Sequence, residues 1–305
     1  MTRTWHWPSA KNETASGIGN WEAFHASPYT MHDVIAAARG WSQKLAGADR
    51  LWLCWNVDPA WCLIQQALVQ SVGWTPLVGF DPRVGPPPLL PGAIGLDFNE
   101  PFGFRTMYPH FPLDYAFLFA DRLAFWHSDL LLRRDKMIEL ARRFESMRQG
   151  EVVATLEHQS FKARTLRRAA RRAWELTGCM TREGSLSNFE QGFGWWSCFY
   201  LHPMCQGHAE RQSRVQAYWD HGTGILYWGQ RNPGRLSFIP ERHIQEGHFT
   251  RIGREGTYKV FGQDDWRRNL SAELSANFSL EHACKELGLA DIFDRVRNHL
   301  VALPG

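Results

Sequence analysis

The sequence lacks the motifs of several large enzyme classes. It has no G-x-G-x-x-G after its first predicted strand, no G-x-x-x-x-G-K-[ST] and no G-x-S-x-G. These absences remove the support for a dinucleotide oxidoreductase, a P-loop NTPase and an α/β-hydrolase. There is also no H-E-x-x-H and no compact set of three histidines, which argues against a structural or hydrolytic zinc site.

Paired cysteines and long apolar runs are missing as well. The 6 cysteines are scattered and form no C-x-x-C pair, so we expect neither a zinc ribbon nor a disulfide framework, but reduced thiols. The first residues, MTRTWHWPSAKN, hold no apolar signal core, and no apolar run approaches the length that spans a bilayer. We therefore expect a soluble, cytoplasmic protein without a transmembrane segment.

The charge is close to balanced, at a formal net charge of +3, and most basic residues are arginines. This balance gives no global field that would attract nucleic acid. The stretch 162–177 is rich in arginine at helical spacing, which would present a basic stripe to nucleic acid. Its apolar positions, which include Trp174, equally indicate an ordinary surface helix with a solvated charged face. We favour the surface helix and expect no nucleic-acid partner.

Apolar segments of strand length alternate with segments of helical spacing in the first half of the chain, which indicates an α/β fold. Helices are predicted at residues 31–46, 60–72, 112–120 and 133–148, and strands at residues 51–57, 74–80, 93–98 and 151–156. The strand–helix–strand unit over residues 51–80 implies a parallel pair with a right-handed crossover. We expect a mixed, mostly parallel central sheet flanked by helices.

The predicted organisation has three parts. Residues 1–30 are expected to form an N-terminal arm, and residues 31–269 a single α/β domain. The second half of that domain is irregular and aromatic-rich, with alternating strands predicted around residues 215–228. Residues 270–305 are expected to form a helical tail that packs on the domain.

The segment FLFADRLAFWHSDLLL, residues 117–132, carries the most chemistry. Its apolar run ends in His127, Ser128 and Asp129. Imidazole nitrogen and carboxylate oxygen are good ligands for Mn²⁺-like ions, and open α/β folds bind ligands at the ends of their strands. The alternative is one long helix over residues 112–147, in which His127 and Asp129 are ordinary polar-face residues.

Two further segments suggest ligand-binding residues. His221 and His248 each lie beside a glycine, so a loop could bring either one to a metal held by Asp129. The alternative is a hydrogen-bonded structural role, which is the more frequent one for a lone histidine. In NFEQGFGWW, residues 188–196, Glu190 lies near two tryptophans. Aromatic rings beside a carboxylate suit a carbohydrate cleft, while the alternative is a turn with core tryptophans and an exposed Glu190.

In layout, these residues resemble a GT-A type nucleotide-sugar glycosyltransferase. The resemblance covers about residues 45–250, and it begins with RLWLCWNVDP and the following strand PLVGFDP. Next comes a strand ending in HSD where that family usually has Asp-x-Asp, then a Glu-bearing, Trp-rich segment and a late His. The resemblance implies a GT-A-like fold with a Rossmann-like nucleotide half. It also implies transfer of a sugar from a nucleotide-sugar donor to a carbohydrate or other hydroxyl acceptor.

The resemblance also implies roles for individual residues. Asn56 and Asp58 would contact the nucleotide, with Asp81 as a further contact. Mn²⁺ or Mg²⁺ would be held by His127, Asp129 and His248, and Glu190 would be the catalytic base. A His in the first position of the motif weakens the charge available for Mg²⁺, which favours Mn²⁺ or no metal. A metal-free site would need a cation from Arg105, Arg122 or Arg133, and Arg105 is also a candidate donor contact.

Two other functions remain open. A metal-dependent hydrolase would use His127, Asp129, His221 and His248 and would need no nucleotide donor. A non-catalytic binding protein on the same fold would keep its function after substitution of His127 and Asp129.

Overall fold

The computed structural model describes residues 31–45, 47–56, 58–80, 86–98, 111–156, 173–191, 193–195, 222–248 and 280–303. Several predicted features lie outside these residues: the N-terminal arm, Asp81, Arg105, His221 and the arginines of 162–172. The described residues form a seven-stranded sheet with α-helices on both faces. The predicted fold class, α/β with a mixed, mostly parallel sheet flanked by helices, is therefore confirmed.

The strands and helices are as follows. The strands are β1 (Arg50–Asn56), β2 (Thr75–Phe80), β3 (Ile94–Leu96), β4 (Arg122–Trp126), β5 (Val152–Leu156), β6 (Ala173–Thr181) and β7 (Leu236–Pro240). The α-helices are α1 (Met31–Leu45), α2 (Pro59–Gln70), α3 (Phe111–Asp114), α4 (Arg134–Glu145), α5 (Arg182–Glu190), α6 (Thr223–Arg231), α7 (Leu280–Glu286) and α8 (Ala290–Val301). Short 3₁₀ turns lie at Ala116–Leu118, Glu241–His243 and Gln245–Gly247.

The direction of the strands decides where a functional site can form. The strand order is β3-β2-β1-β4-β6-β5-β7, and β6 is antiparallel to both of its neighbours. All other neighbouring pairs are parallel. The carboxyl ends of the other six strands therefore meet the amino end of β6 at one edge of the sheet, called the carboxyl edge below.

The unit β1–α2–β2 forms as its sequence predicts. Leu51 and Leu53 of β1 join the core on one face of the sheet, and Trp52 and Cys54 join the core on the other face. A strand that is buried on both faces is continuously apolar, which explains the run LWLCW. Asp58 caps the amino end of α2, and β2 then pairs in parallel with β1.

The segment that leads to HSD is a strand rather than part of one long helix. Residues 112–120, predicted as a helix, form α3 and a 3₁₀ turn. β4 then pairs in parallel with β1 and antiparallel with β6. The alternative of a single helix over residues 112–147 is therefore wrong. Because β1 and β6 form hydrogen-bonded pairs with it on its two sides, this apolar run adopts the extended conformation.

Two predictions of secondary structure are wrong. Residues 173–177, predicted as the end of the arginine-rich helix, belong to β6. Residues 223–228, predicted within alternating strands, belong to α6. β6 is held by pairing on both sides, with Ala124 opposite Cys179 and Val153 opposite the same residue. These contacts join residues that are distant in sequence. Periodicity alone does not distinguish a strand from a helix in a short aromatic segment.

The end of the described chain is helical, as predicted, but it forms two helices, α7 and α8, separated by Gly288 at φ 68°. Ile292 and Val296 of α8 are buried in the core on the α2 face of the sheet. Arg295 Nη2 donates to Gln70 Oε1 of α2 at 2.6 Å. This helical pair packs on the domain at α2.

Most of the described tryptophans stabilise the core. Trp52 is the centre of one cluster, with ring centroids 5.5 Å from Trp74, 5.2 Å from Trp126 and 5.3 Å from Phe144. Buried aromatic pairs at such distances stabilise a fold beyond the area that they bury.

Among the described helices, none combines the length and the apolar character needed to cross a lipid bilayer.

The buried thiols give a prediction about reactivity and pH. Burial raises the pKa of Cys62 to about 12 and raises the pKa of Cys54 and Cys179 well above the ordinary thiol value of 9.0. Since thiolate is the reactive form, these three thiols should resist iodoacetamide at pH 8 in the native protein and react once it is unfolded. Peptide mapping by mass spectrometry checks this, and rapid native labelling would contradict the burial.

The same raised pKa values make stability depend on alkaline pH. Unfolded thiols lose their protons near pH 9, whereas buried Cys62 keeps its proton up to about pH 12. The folded state therefore binds more protons than the unfolded state in this window. The contribution of the buried thiol to stability should be complete below pH 9, and the free energy of unfolding should fall as the pH rises toward 12.

Candidate metal centre

The turn after β4 is fixed by hydrogen bonds from two neighbouring elements. The backbone N–H of His127 donates to Leu176 O of β6 at 3.0 Å. From α2, the fully buried Gln65 donates through Nε2 to His127 O at 2.8 Å and to Leu130 O at 2.9 Å. The residues between them, Ser128 and Asp129, are therefore held at the carboxyl edge next to the end of β1.

The segment that carries His248 reaches this turn from β7, the edge strand on the far side of β6 and β5. After β7, two 3₁₀ turns carry the chain back along the carboxyl edge, and His248 forms an isolated antiparallel bridge with Leu130. The backbone N–H of Leu131 donates to Gly247 O at 2.9 Å. A Cβ on Gly247 would lie 1.7 Å from Leu131 O, so only glycine permits this approach.

These contacts bring His127, Asp129 and His248 together. Asp129 Oδ1 lies 3.7 Å from His127 Nδ1 and 3.6 Å from His248 Nε2. One ligand atom from each of the three residues lies within 4.8 Å of the other two. Adjacent ligands about 2.1 Å from a shared ion lie roughly 3 to 3.5 Å apart. Small side-chain movements would therefore complete a metal site.

The site is partly open. The side chain of His248 is 5% exposed, whereas those of His127 and Asp129 are 28% and 19% exposed. Trp174 forms an apolar wall, with its ring centroid 5.7 Å from that of His127 and 5.4 Å from that of His248. A ligand can thus reach the two residues of the HSD segment from solvent, while His248 is held inside.

A second carboxylate, Glu175, lies at the site and was not among the predicted site residues. Its Oε1 is 3.7 Å from His127 Nε2, and its side chain is 12% exposed. The sequence assigned it to a helix because Trp174 fell in the apolar period of the arginine-rich stretch. The signal for a strand was Gly178 together with Thr177 and Thr181, residues that disfavour a helix interior.

A comparison with known protein families finds no match, and comparisons with curated proteins and with solved structures find none either.

The predicted nucleotide contacts at the end of β1 lie at the same edge. Asn56 is the last residue of β1, and its side chain is fully buried. Asp58 is exposed, and its Oδ1 accepts hydrogen bonds from the backbone N–H groups of Ala60 at 2.9 Å and Trp61 at 3.1 Å. This helix cap gives Asp58 a structural role, and a nucleotide contact for either residue stays a prediction.

The Trp-rich segment divides between the core and the surface. Trp195 is 1% exposed, and its ring packs against Phe125 at 4.8 Å. Its backbone N–H donates to Asp114 at 2.6 Å. Trp195 is therefore a core residue, as the structural alternative predicted. Glu190 is exposed at the end of α5, a helix that begins at the edge of the sheet opposite the metal centre; its role as a base stays a prediction.

Of the arginines named for a metal-free site, Arg122 is excluded. It is the first residue of β4, so it lies roughly 16 Å along the strand from His127. Its guanidinium donates to backbone oxygens at the end of α4, those of Phe144, Glu145 and Met147. Arg133 does lie at the carboxyl edge, where its Nε is 3.5 Å from a carboxylate oxygen of Glu246.

Proposed function

We propose that this chain is a glycosyltransferase that moves a sugar from a nucleotide-sugar donor to an acceptor hydroxyl, with a divalent ion held by His127, Asp129 and His248. The convergence of these three side chains at the carboxyl edge carries the proposal. They come from two segments more than a hundred residues apart in the sequence.

The ligand types support Mn²⁺ rather than Mg²⁺. Two of the three ligands are imidazoles, and only one is a carboxylate. Mg²⁺ prefers an octahedral set of oxygens and releases its water reluctantly, whereas imidazole suits transition-metal ions and carboxylate suits Mn²⁺. When bound, the ion would act as a Lewis acid on the leaving diphosphate.

The position of the site supports a donor that extends along the carboxyl edge. β1 and β4 are neighbours, with Leu53 opposite Phe125, so the ends of the two strands lie side by side. A nucleotide at Asn56 and Asp58 would place its diphosphate toward Asp129. Asp81 and Arg105 are proposed as further donor contacts.

A thermal-shift screen tests this function. The full chain is heated with UDP, GDP, CMP or dTDP, and with their common sugar conjugates, each in Mn²⁺ and in EDTA. We expect one nucleotide to raise the melting temperature, with about 2.7 kcal/mol of added stability at 100 times its dissociation constant, and EDTA to remove this rise.

Other outcomes would overturn the assignment. Stabilisation by Mn²⁺ alone, with no response to any nucleotide, would favour the metal-dependent hydrolase. No response to either metal or nucleotide would favour the non-catalytic binding protein.

A further inference from the structure

We propose that Glu175 is a positioning residue that acts through His127: it accepts a hydrogen bond from Nε2 of that ring and so presents Nδ1 to the ion shared with Asp129 and His248. This inference rests on the metal centre of the proposed function. It does not depend on which nucleotide or sugar the protein uses.

The imidazole of His127 lies between two carboxylates. Its Nδ1 is 3.7 Å from Asp129 Oδ1, and its Nε2 is 3.7 Å from Glu175 Oε1. Only the Nδ1 side faces the residue that also contacts His248. The geometry therefore separates the two nitrogens into one directed toward the metal centre and one directed toward Glu175.

The backbone holds His127 and Glu175 in this arrangement. His127 follows β4, Glu175 is the third residue of β6, and the two strands are antiparallel neighbours. The hydrogen bond from His127 N–H to Leu176 O, at 3.0 Å, extends their pairing to the level of the site. Both residues belong to paired elements, so the proposal requires only their side chains to move, bringing Nε2 and Oε1 from 3.7 Å to hydrogen-bond distance.

A histidine that binds a metal commonly has such a partner for its other ring nitrogen. A neutral imidazole carries one N–H, and the other nitrogen must offer its lone pair to the ion. A carboxylate that accepts the N–H fixes both the tautomer and the orientation of the ring, and it makes the ligating nitrogen more basic. Glu175 is placed to do this for His127.

The test replaces Glu175 by Gln in the full chain and measures Mn²⁺ affinity by electron paramagnetic resonance, without nucleotide. Loss of an outer partner of this kind typically costs 10- to 100-fold in affinity, so we expect a loss of at least about tenfold. The shorter carboxylate of Glu175→Asp should restore part of the affinity, which a merely steric role would not predict.

Glu286→Gln is the matched control. Glu286 Oε1 lies 3.8 Å from His282 Nε2, and both side chains are exposed on α7, so the variant removes a similar carboxylate–histidine pair that includes none of the proposed metal ligands. Its Mn²⁺ affinity should equal that of the wild type.

Visible spectra of the Co²⁺ complexes separate an outer partner from a ligand. Wild type and Glu175→Gln at saturating Co²⁺ should show the same absorption bands. A change in the bands would mean that Glu175 itself binds the ion, and an unchanged Mn²⁺ affinity would mean that it does not act on His127; either result overturns the inference. Failure of the wild type to bind Mn²⁺ would instead overturn the metal centre of the proposed function.

Discussion

Asp129→Asn should weaken Mn²⁺ binding by about 100-fold or more, which corresponds to about 2.8 kcal/mol. Asp129 supplies the only carboxylate among the three proposed ligands, and its Oδ1 lies within 3.7 Å of both imidazoles. The substitution keeps the shape of the side chain but removes the negative charge that attracts the ion. Isothermal titration with Mn²⁺ measures the affinity, and the nucleotide-dependent thermal shift should be lost with it.

Asp135→Asn provides the control for this substitution. Asp135 is an exposed carboxylate in the first turn of α4 and lies 3.5 Å from Arg133. It should bind Mn²⁺ as the wild type does. The melting temperature of Asp129→Asn should stay within a few degrees of the wild type. An Asp129→Asn protein that binds Mn²⁺ normally would contradict the metal assignment, and one that unfolds would show that Asp129 is structural.

Gly247→Ala should destabilise the fold and damage the metal centre together. The added Cβ would lie 1.7 Å from Leu131 O, a contact with backbone that no side-chain rotation relieves. The chain must then separate where Leu131 N–H donates to Gly247 O, and His248 moves away from Asp129. We expect a loss of about 3 kcal/mol in the free energy of unfolding, measured in urea. We also expect Mn²⁺ affinity to fall about tenfold or more.

Gly40→Ala is the matched control for that change. Gly40 lies within α1, and a Cβ there would meet no atom within 4 Å. Alanine is favoured over glycine inside a helix, so the control should gain about 0.5 to 1 kcal/mol and bind Mn²⁺ normally. If Gly247→Ala were as stable as the wild type with intact Mn²⁺ binding, the approach of the His248 segment to the HSD turn would be wrong.

The part of the fold that is local in sequence was predictable. β1, α2 and β2 carry their own signals: a run that is apolar on both faces, the capping residue Asp58 and a second apolar run. The strand that precedes His127 was predictable as one of two alternatives. Its pairing with β1 and β6, which local periodicity cannot reveal, excludes the helix.

Most residues of the candidate site were predictable from the sequence, but the contacts that bring them together were not. His127 and Asp129 were named as metal-ligating residue types at the end of an apolar run, and His248 as a histidine beside a glycine. Their convergence depends on the parallel pairing of β5 with β7 and on the two turns that follow. Glu175 was missed because its strand was assigned to a helix. When apolar periodicity assigns a segment to the wrong secondary structure, the positions of all its side chains are predicted wrongly. None of its residues is then recognised as part of a site formed with distant segments.

A crystal of the full chain grown with Mn²⁺, with diffraction data collected at an energy where manganese scatters anomalously, tests the metal centre most directly. We expect one strong anomalous peak about 2.0 to 2.3 Å from His127 Nδ1, a carboxylate oxygen of Asp129 and His248 Nε2. No peak among these three side chains, or a peak only at other residues, would contradict the metal centre and with it the proposed metal-assisted transfer.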